Sequence, residues 1–330
     1  MKHSFRTLLG ALLSLCLMVG VLAGCNTKTT TPDDGKLHVV TTIFPAYDWA
    51  RAVLGDKAAD TDLAMLLDNG VDLHSFQPTA ADIAKIASCD VFVYVGGESD
   101  AWVEDALKEA TNKNMQVVNL LEVMGDKAKT EEVKEGMMHE EEEAEEGEEE
   151  EEELDEHVWL SLRNASLLAD ALCDAFSAAD EENAETYRAN TAAYQKELAA
   201  LDGEYKGVID TAKRKTLLFG DRFPFRYLVD DYGLDYFAAF VGCSAETEAS
   251  FETIKFLADK VDELGLTNVL TIDGSDSRIA ETILKTATTP GGAIRTLDSL
   301  QSTTSQDAAD GKSYLSAMQS NLEILKVVLN

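Results

Sequence analysis

From Leu37 onward, short runs of apolar and β-branched residues alternate with longer stretches whose apolar positions recur every three or four residues. The first kind suits buried strands, and the second suits helices with one face on a core. LHVVTTIF (37–44) predicts a strand, followed by a helix over AYDWARAVLG (46–55) that Gly55 can stop. TDLAMLL (61–67) predicts a second strand, TAADIAKIAS (79–88) a helix capped by its threonine, and DVFVYVG (90–96) a fully buried strand. SDAWVEDALKEA (99–110) predicts a helix opening at a capping serine, QVVNL (116–120) a further strand, and SLRNASLLADALCDAF (161–176) an amphipathic helix. After residue 215 the same rhythm resumes with KTLLFG, PFRYLVDDYG, DYFAAFVG, ASFETIKFLADKVDELG, TNVLTIDG, SRIAETILKTAT and AIRTL, ending in the amphipathic KSYLSAMQSNLEILKVVL. Strand–helix alternation of this kind builds parallel sheets with helices on both faces.

Between the halves, residues 179–210 contain no proline, and glycine enters only near the end. Tyr187, Tyr194, Leu198 and Leu201 recur at helical spacing. A helix over 181–201 would be about 30 Å long at 1.5 Å per residue, enough to cross a small domain. The expected fold class is therefore α/β: two parallel-sheet (β/α) lobes joined by one long rigid helix. The expected divisions are an N-terminal lobe at 37–178, a linking helix at 179–208 and a C-terminal lobe at 209–330.

The N-terminus changes the picture of where the chain works. MKHSFRTLLGALLSLCLMVGVLAGC has a basic start, an apolar stretch and small residues before a cysteine, the pattern of a secretory signal rather than a permanent span. Its LAGC ending resembles the lipobox of bacterial lipoproteins. That implies removal of residues 1–24, lipidation of Cys25, a flexible tether over 25–36 and an extracytoplasmic, lipid-anchored location at the bacterial cell membrane.

Charge and rare residues narrow the chemistry. The net charge of −33 becomes −35 once Lys2 and Arg6 are removed with the signal. Twelve glutamates fall within residues 140–153. Such a chain repels nucleic acid and gathers cations, although a run of like charge is also what a solvated loop looks like. Outside the leader and Cys25, only Cys89, Cys173 and Cys243 remain, without the spacing of a disulfide framework or zinc knuckle. They read as buried small residues, with one pairing left open. No H-E-x-x-H, G-x-S-x-G or glycine-rich phosphate loop marks an enzyme.

Of the five histidines, His3 lies in the leader, His38 in a strand where it reads as structural, and His139 at the edge of the acidic run. His74 in GVDLHSFQPT and His157 in LDEHVWLSL each follow a strand end and precede a helix, the edge where open α/β sheets place ligands. Neutral imidazole is the commonest zinc ligand, which makes both candidates for metal.

TTIFPAYDWARAVLGD, GVDLHSFQPTAADIAKIASCDVFVYVGG, DEHVWLSLRNA and FRYLVDDYGL together resemble the metal-binding solute-binding proteins of bacterial zinc/manganese ABC importers, over the chain from about Leu37 to the C-terminus. The resemblance implies a metal site in the inter-lobe cleft, an acidic or histidine-rich loop beside it, and delivery of the ion to a membrane ABC permease. It carries the first two ligands onto His74 and His157. The third falls in FGDRFPFRY, where Arg222 aligns; a guanidinium cannot coordinate a cation, so the neighbouring Asp221 is the substitute. The fourth falls on Asp273, with Asp276 as runner-up. Turn or cap roles are the alternatives for these aspartates. The expected ion is Zn2+, with Mn2+ as the alternative, and the expected state a monomer. A surface adhesin and an extracellular metalloenzyme are the competing classes, the latter requiring an open coordination position. Because ligating imidazole must be neutral, affinity is expected to weaken as pH falls through the histidine range.

Overall fold

The computed structural model describes residues 35–138, 153–244 and 248–330. The leader, Cys25, nearly all of the tether, His139 and the acidic run up to Glu152 lie outside the described residues.

In the first lobe, strands β1 (His38–Thr41), β2 (Asp62–Met65), β3 (Val91–Tyr94) and β4 (Gln116–Asn119) form a parallel sheet of order β2-β1-β3-β4. The helices are α1 (Phe44–Leu54), α2 (Ala80–Ser88), α3 (Val103–Lys108), the short α4 (Leu120–Met124) and α5 (Leu162–Ala179). The second lobe repeats the plan with β5 (Thr216–Phe223), β6 (Asp235–Val241), β7 (Asn268–Ile272) and β8 (Ala293–Leu297), all parallel, in the order β6-β5-β7-β8. Its helices are α7 (Arg226–Tyr232), α8 (Phe251–Leu264), α9 (Arg278–Thr286), α10 (Ser305–Ala309) and α11 (Tyr314–Val328). Each sheet is thus entered at a central strand and wound outward in both directions. That leaves a switch point at the carboxyl ends of its strands, where doubly wound sheets bind ligands.

The long helix α6 (Ala184–Thr211) spans 28 residues, ten beyond the predicted periodic stretch at its C-terminal end. Its buried face is Ala184, Tyr187, Thr191, Tyr194, Leu198, Leu201, Tyr205 and Ile209, a stripe with steps of three and four. At 1.5 Å per residue it is about 42 Å long. Asn190 Nδ2 donates to the Val53 carbonyl at the end of α1 (3.0 Å), and Tyr205 Oη donates to the Met318 carbonyl in α11 (2.6 Å), so it is tied to elements of both halves. One apolar cluster runs without a break from Val39 and Trp49 through α5 and α6 to Phe223, Tyr314 and Leu322. A smaller cluster seals β6 and β7 against α8 and α9.

Local differences from the predicted elements have simple causes. Phe44, placed at the end of the first strand, opens α1, because Pro45 suits the first turn of a helix. Thr79 caps α2 as expected, in a reciprocal capping box with Asp82. Ser99 does not open a long helix: a 3-10 turn at Glu98–Asp100 precedes α3, and the Ser99 hydroxyl is engaged elsewhere.

Candidate metal centre

Residues 153–155 run antiparallel to 129–131, with Glu131 N donating to the Glu153 carbonyl (2.9 Å) and Asp155 N to that of Lys129 (2.7 Å). The chain then turns sharply around Asp155. Its Oδ1 accepts from the His157 backbone N–H (2.9 Å) and lies 3.0 Å from His157 Nδ1, so one carboxylate sets both the turn and the ring. Tyr227 Oη holds the Asp155 carbonyl from the second lobe (2.9 Å). His157 is fully buried.

His74 sits in a 3-10 turn (Leu73–Ser75) after β2, capped by Asp72, whose Oδ1 accepts from His74 N–H at 3.0 Å. His74 Nδ1 is 2.8 Å from Ser99 Oγ, and Ser99 N–H donates to Glu156 Oε1 (2.9 Å). The other Glu156 oxygen is buried without a hydrogen-bond partner, 3.5 Å from His74 Nδ1. Gly97 has φ +78°, and a Cβ there would strike the Glu156 carboxyl at 2.3 Å, so only glycine lets β3 deliver this turn against Glu156.

With both Nδ1 atoms occupied, the two Nε2 atoms face each other at 3.2 Å. Two imidazole lone pairs so placed repel unless a proton or a cation lies between them. Two nitrogens sharing a tetrahedral zinc at 2.0–2.1 Å would be about 3.3 Å apart. Burial, and then the neighbouring His157, push the His74 pKa down to about 3, which keeps this ring neutral. Burial also opposes charge on His157, but the Asp155 carboxylate, with Glu156 and Asp72, outweighs it and the net shift is upward. Asp155, Glu156 and Ser99 therefore orient the rings from behind, as outer partners of metal-ligating histidines do.

His74 opens onto a cleft of about 480 Å³ lined by both lobes, among them Asp72, Asp221, Asp273 and Asp276 with Arg222 and Arg278. Four aspartates against two arginines leave the cleft negative. Asp221 lies at a bulge in β5, where its Oδ1 accepts from Arg222 N–H (2.9 Å) and its Oδ2 from Ile272 N–H (3.2 Å). Asp273 follows β7 and has four donors around it: Ser299 N–H and Oγ on Oδ1, both at 2.6 Å, and Ser302 N–H and Oγ on Oδ2. The turn it clasps carries Leu300 at φ +65°, a strained conformation for a branched side chain. Asp276 is exposed at the cleft and paired with Arg278. Arg222 Nη2 donates to Asp72 Oδ2 (2.7 Å) across the cleft.

Among the described residues, the metal-ligating side chains that converge are His74, His157 and Cys243, whose ligand atoms all lie within 4.8 Å of one another. Asp221 and Asp273 share the cleft with His74 but fall outside this group. Cys243, read from the sequence as a buried small residue, stands two positions past β6 at the carboxyl edge of the second sheet. The legible signal was its place in FVGCS immediately after an apolar strand. His38, by contrast, pairs with Asp62 (3.1 Å) away from this centre.

Two parallel-sheet lobes are joined through a long helix, and two imidazoles of the first lobe meet at the cleft between them, the layout of a two-lobed α/β binding protein. Residues 39–328 match the family described as zinc-uptake complex component A periplasmic, and the chain belongs to that family. The chain is 31% identical over 303 residues to the zinc-binding protein AdcA of Streptococcus pyogenes serotype M6, covering 89% of this chain and 56% of that relative. The chain thus spans little more than half the length of the AdcA proteins it matches. It is 30% identical over 312 residues to the high-affinity zinc uptake system protein ZnuA of Bacillus subtilis, covering 94% and 93% of the two. The Zn(II)-bound ZnuA-like domain of Streptococcus pneumoniae AdcA superposes with a TM-score of 0.68 at 29% identity, over 89% of this chain and 99% of that domain.

Proposed function

We propose that this chain is the extracytoplasmic binding component of a metal ABC importer, capturing Zn2+ between its lobes and handing it to a membrane permease. The observation that carries the reading is the 3.2 Å apposition of His74 Nε2 and His157 Nε2, each ring oriented from behind. Zinc-uptake and zinc-binding relatives support the ion, and lipoprotein relatives support a tether at Cys25 outside the membrane. Binding without catalysis fits a cargo site. The adhesin reading finds no separate support in the site.

His74 and His157 supply the two nitrogen ligands of the proposed site, and an acidic side chain of the cleft adds negative charge. Asp221 fits that role better than Asp273: one of its two donors is its own neighbour's amide, whereas Asp273 already has four. Calorimetric titration of metal-stripped protein with Zn2+ and Mn2+ tests this reading. His74→Ala and His157→Ala are each expected to weaken zinc by roughly 100-fold or more, since even outer partners alter affinity by about 10–100-fold. Undiminished zinc binding in both variants would overturn it.

A further inference from the structure

We infer that Cys243 is a direct zinc ligand, supplied by the second lobe as a thiolate, and that it makes the site selective for soft metals. This deepens the proposed zinc capture and rests on it.

The geometry is specific to this cysteine. Cys89 and Cys173 belong to the main apolar core, Cys89 with its thiol against the Ile86 carbonyl and Met115. Cys243 belongs to neither apolar cluster and lies half-buried in the turn after β6. It is not disulfide-bonded. Its thiol and one ring nitrogen of each histidine all lie within 4.8 Å of one another; ligation at about 2.3 Å for sulfur and 2.0–2.1 Å for nitrogen needs a sulfur–nitrogen separation of about 3.6 Å, a shift of no more than roughly 1 Å.

Two contacts hold this turn to the histidines. A Cβ at Gly242 would lie 3.0 Å from His157 Cε1 and 3.1 Å from Nδ1, so the backbone just before Cys243 rests directly on the ring. Glu131 Oε1 accepts from Cys243 N–H (2.8 Å), from the strand segment that pairs with the chain leading into His157.

Arg222 completes the case. It stands where the family resemblance would put a third ligand, yet it donates to Asp72 Oδ2, beneath the His74 turn, and through Nη1 to the Ser244 carbonyl (3.4 Å), beside Cys243. The guanidinium thus links the loop bearing His74 to the loop bearing Cys243, acting as a positioning residue while the thiol takes the coordination position. Binding releases the thiol proton to water as the sulfur–metal bond forms. A thiolate beside two imidazoles favours Zn2+ and Cd2+ over Mn2+, a hard cation that prefers oxygen.

The test uses the whole chain and its Cys243→Ser variant, loaded with Co2+, Zn2+, Cd2+ and Mn2+ separately. Wild type is expected to show near-ultraviolet thiolate-to-cobalt charge-transfer absorption that disappears in Cys243→Ser. The variant is also expected to lose about 100-fold or more in zinc affinity, and more for Cd2+ than for Mn2+, with an unchanged melting temperature for the metal-free protein. If Cys243→Ser loses neither the charge-transfer band nor zinc affinity, while His74→Ala still abolishes binding, Cys243 is not a ligand and the histidine reading stands. Intact zinc binding in the histidine variants would remove the basis for both. Should the serine variant unfold, protection of Cys243 from alkylation by bound zinc in the wild type decides: protection upholds ligation, and equal labelling with and without zinc refutes it.

Discussion

At the scale of single residues, the orientation of the two imidazoles depends on carboxylates and a hydroxyl behind them. Asp155 fixes the His157 backbone and ring together, so Asp155→Ala is expected to weaken zinc by about 10–100-fold, read by calorimetry, with a smaller effect on metal-free stability. Asp273 presents the opposite balance. Its four donors bracket the strained Leu300, and the Ser299 carbonyl of the same turn accepts from Trp159 Nε1 (2.9 Å), two residues after His157. Removing Asp273, half-buried itself, leaves the donors of the buried Ser299 unsatisfied, which costs about 1–3 kcal/mol. Asp273→Ala is therefore expected to lower the denaturation midpoint clearly while shifting zinc affinity far less than either histidine substitution. A 100-fold loss of affinity with unchanged stability would instead make Asp273 a ligand.

At the scale of elements, what the sequence showed and what it hid divide along a physical line. Strands buried on both faces and helices with one apolar stripe announce themselves, which is why DVFVYVG, TNVLTIDG and the Tyr187–Leu201 stripe mark β3, β7 and α6. His74 was legible because it lies in a short turn after β2, and His157 because it directly precedes a 3-10 turn and α5; the strand expected before His157 is only an isolated bridge at Leu154. Contacts between segments distant in sequence carry no local signal. Ser99 has the look of a helix cap, but His74 and Glu156, 25 and 57 residues away, claim its hydroxyl and amide. Cys243 looks like filler because the facing imidazoles come from another sheet 83 residues apart from each other. Where local chemistry does decide, its energy follows local rules: Thr79→Ala breaks the capping box of α2 and is expected to cost about 1 kcal/mol, measured by denaturant titration, without altering zinc affinity.

At the scale of the whole molecule, the unbroken apolar core across both lobes and α6 argues against wide opening as the route of metal entry, since parting the lobes would expose that core to water. Entry is then governed by the electrostatic field around the cleft, and we propose that the acidic run contributes to it. Both of its flanks are fastened to the elements that build the site: Met138 N–H donates to the Ala239 carbonyl in β6, four residues before Cys243, and Glu153 pairs with Glu131, four residues before His157. A run of twelve glutamates held at such anchors would raise the local cation concentration without supplying ligands, and a charge-neutral variant tests this. Replacing all twelve with glutamine keeps the chain length and takes the net charge from −33 to −21. In stopped-flow competition against a fluorescent chelator, zinc association is expected to slow several-fold at low ionic strength and dissociation to stay the same. The difference should shrink toward about 0.15 M salt, where screening acts over roughly 8 Å. Equal association rates at low salt would leave the run without an electrostatic part in capture, and a changed dissociation rate would place glutamate oxygens on the ion itself.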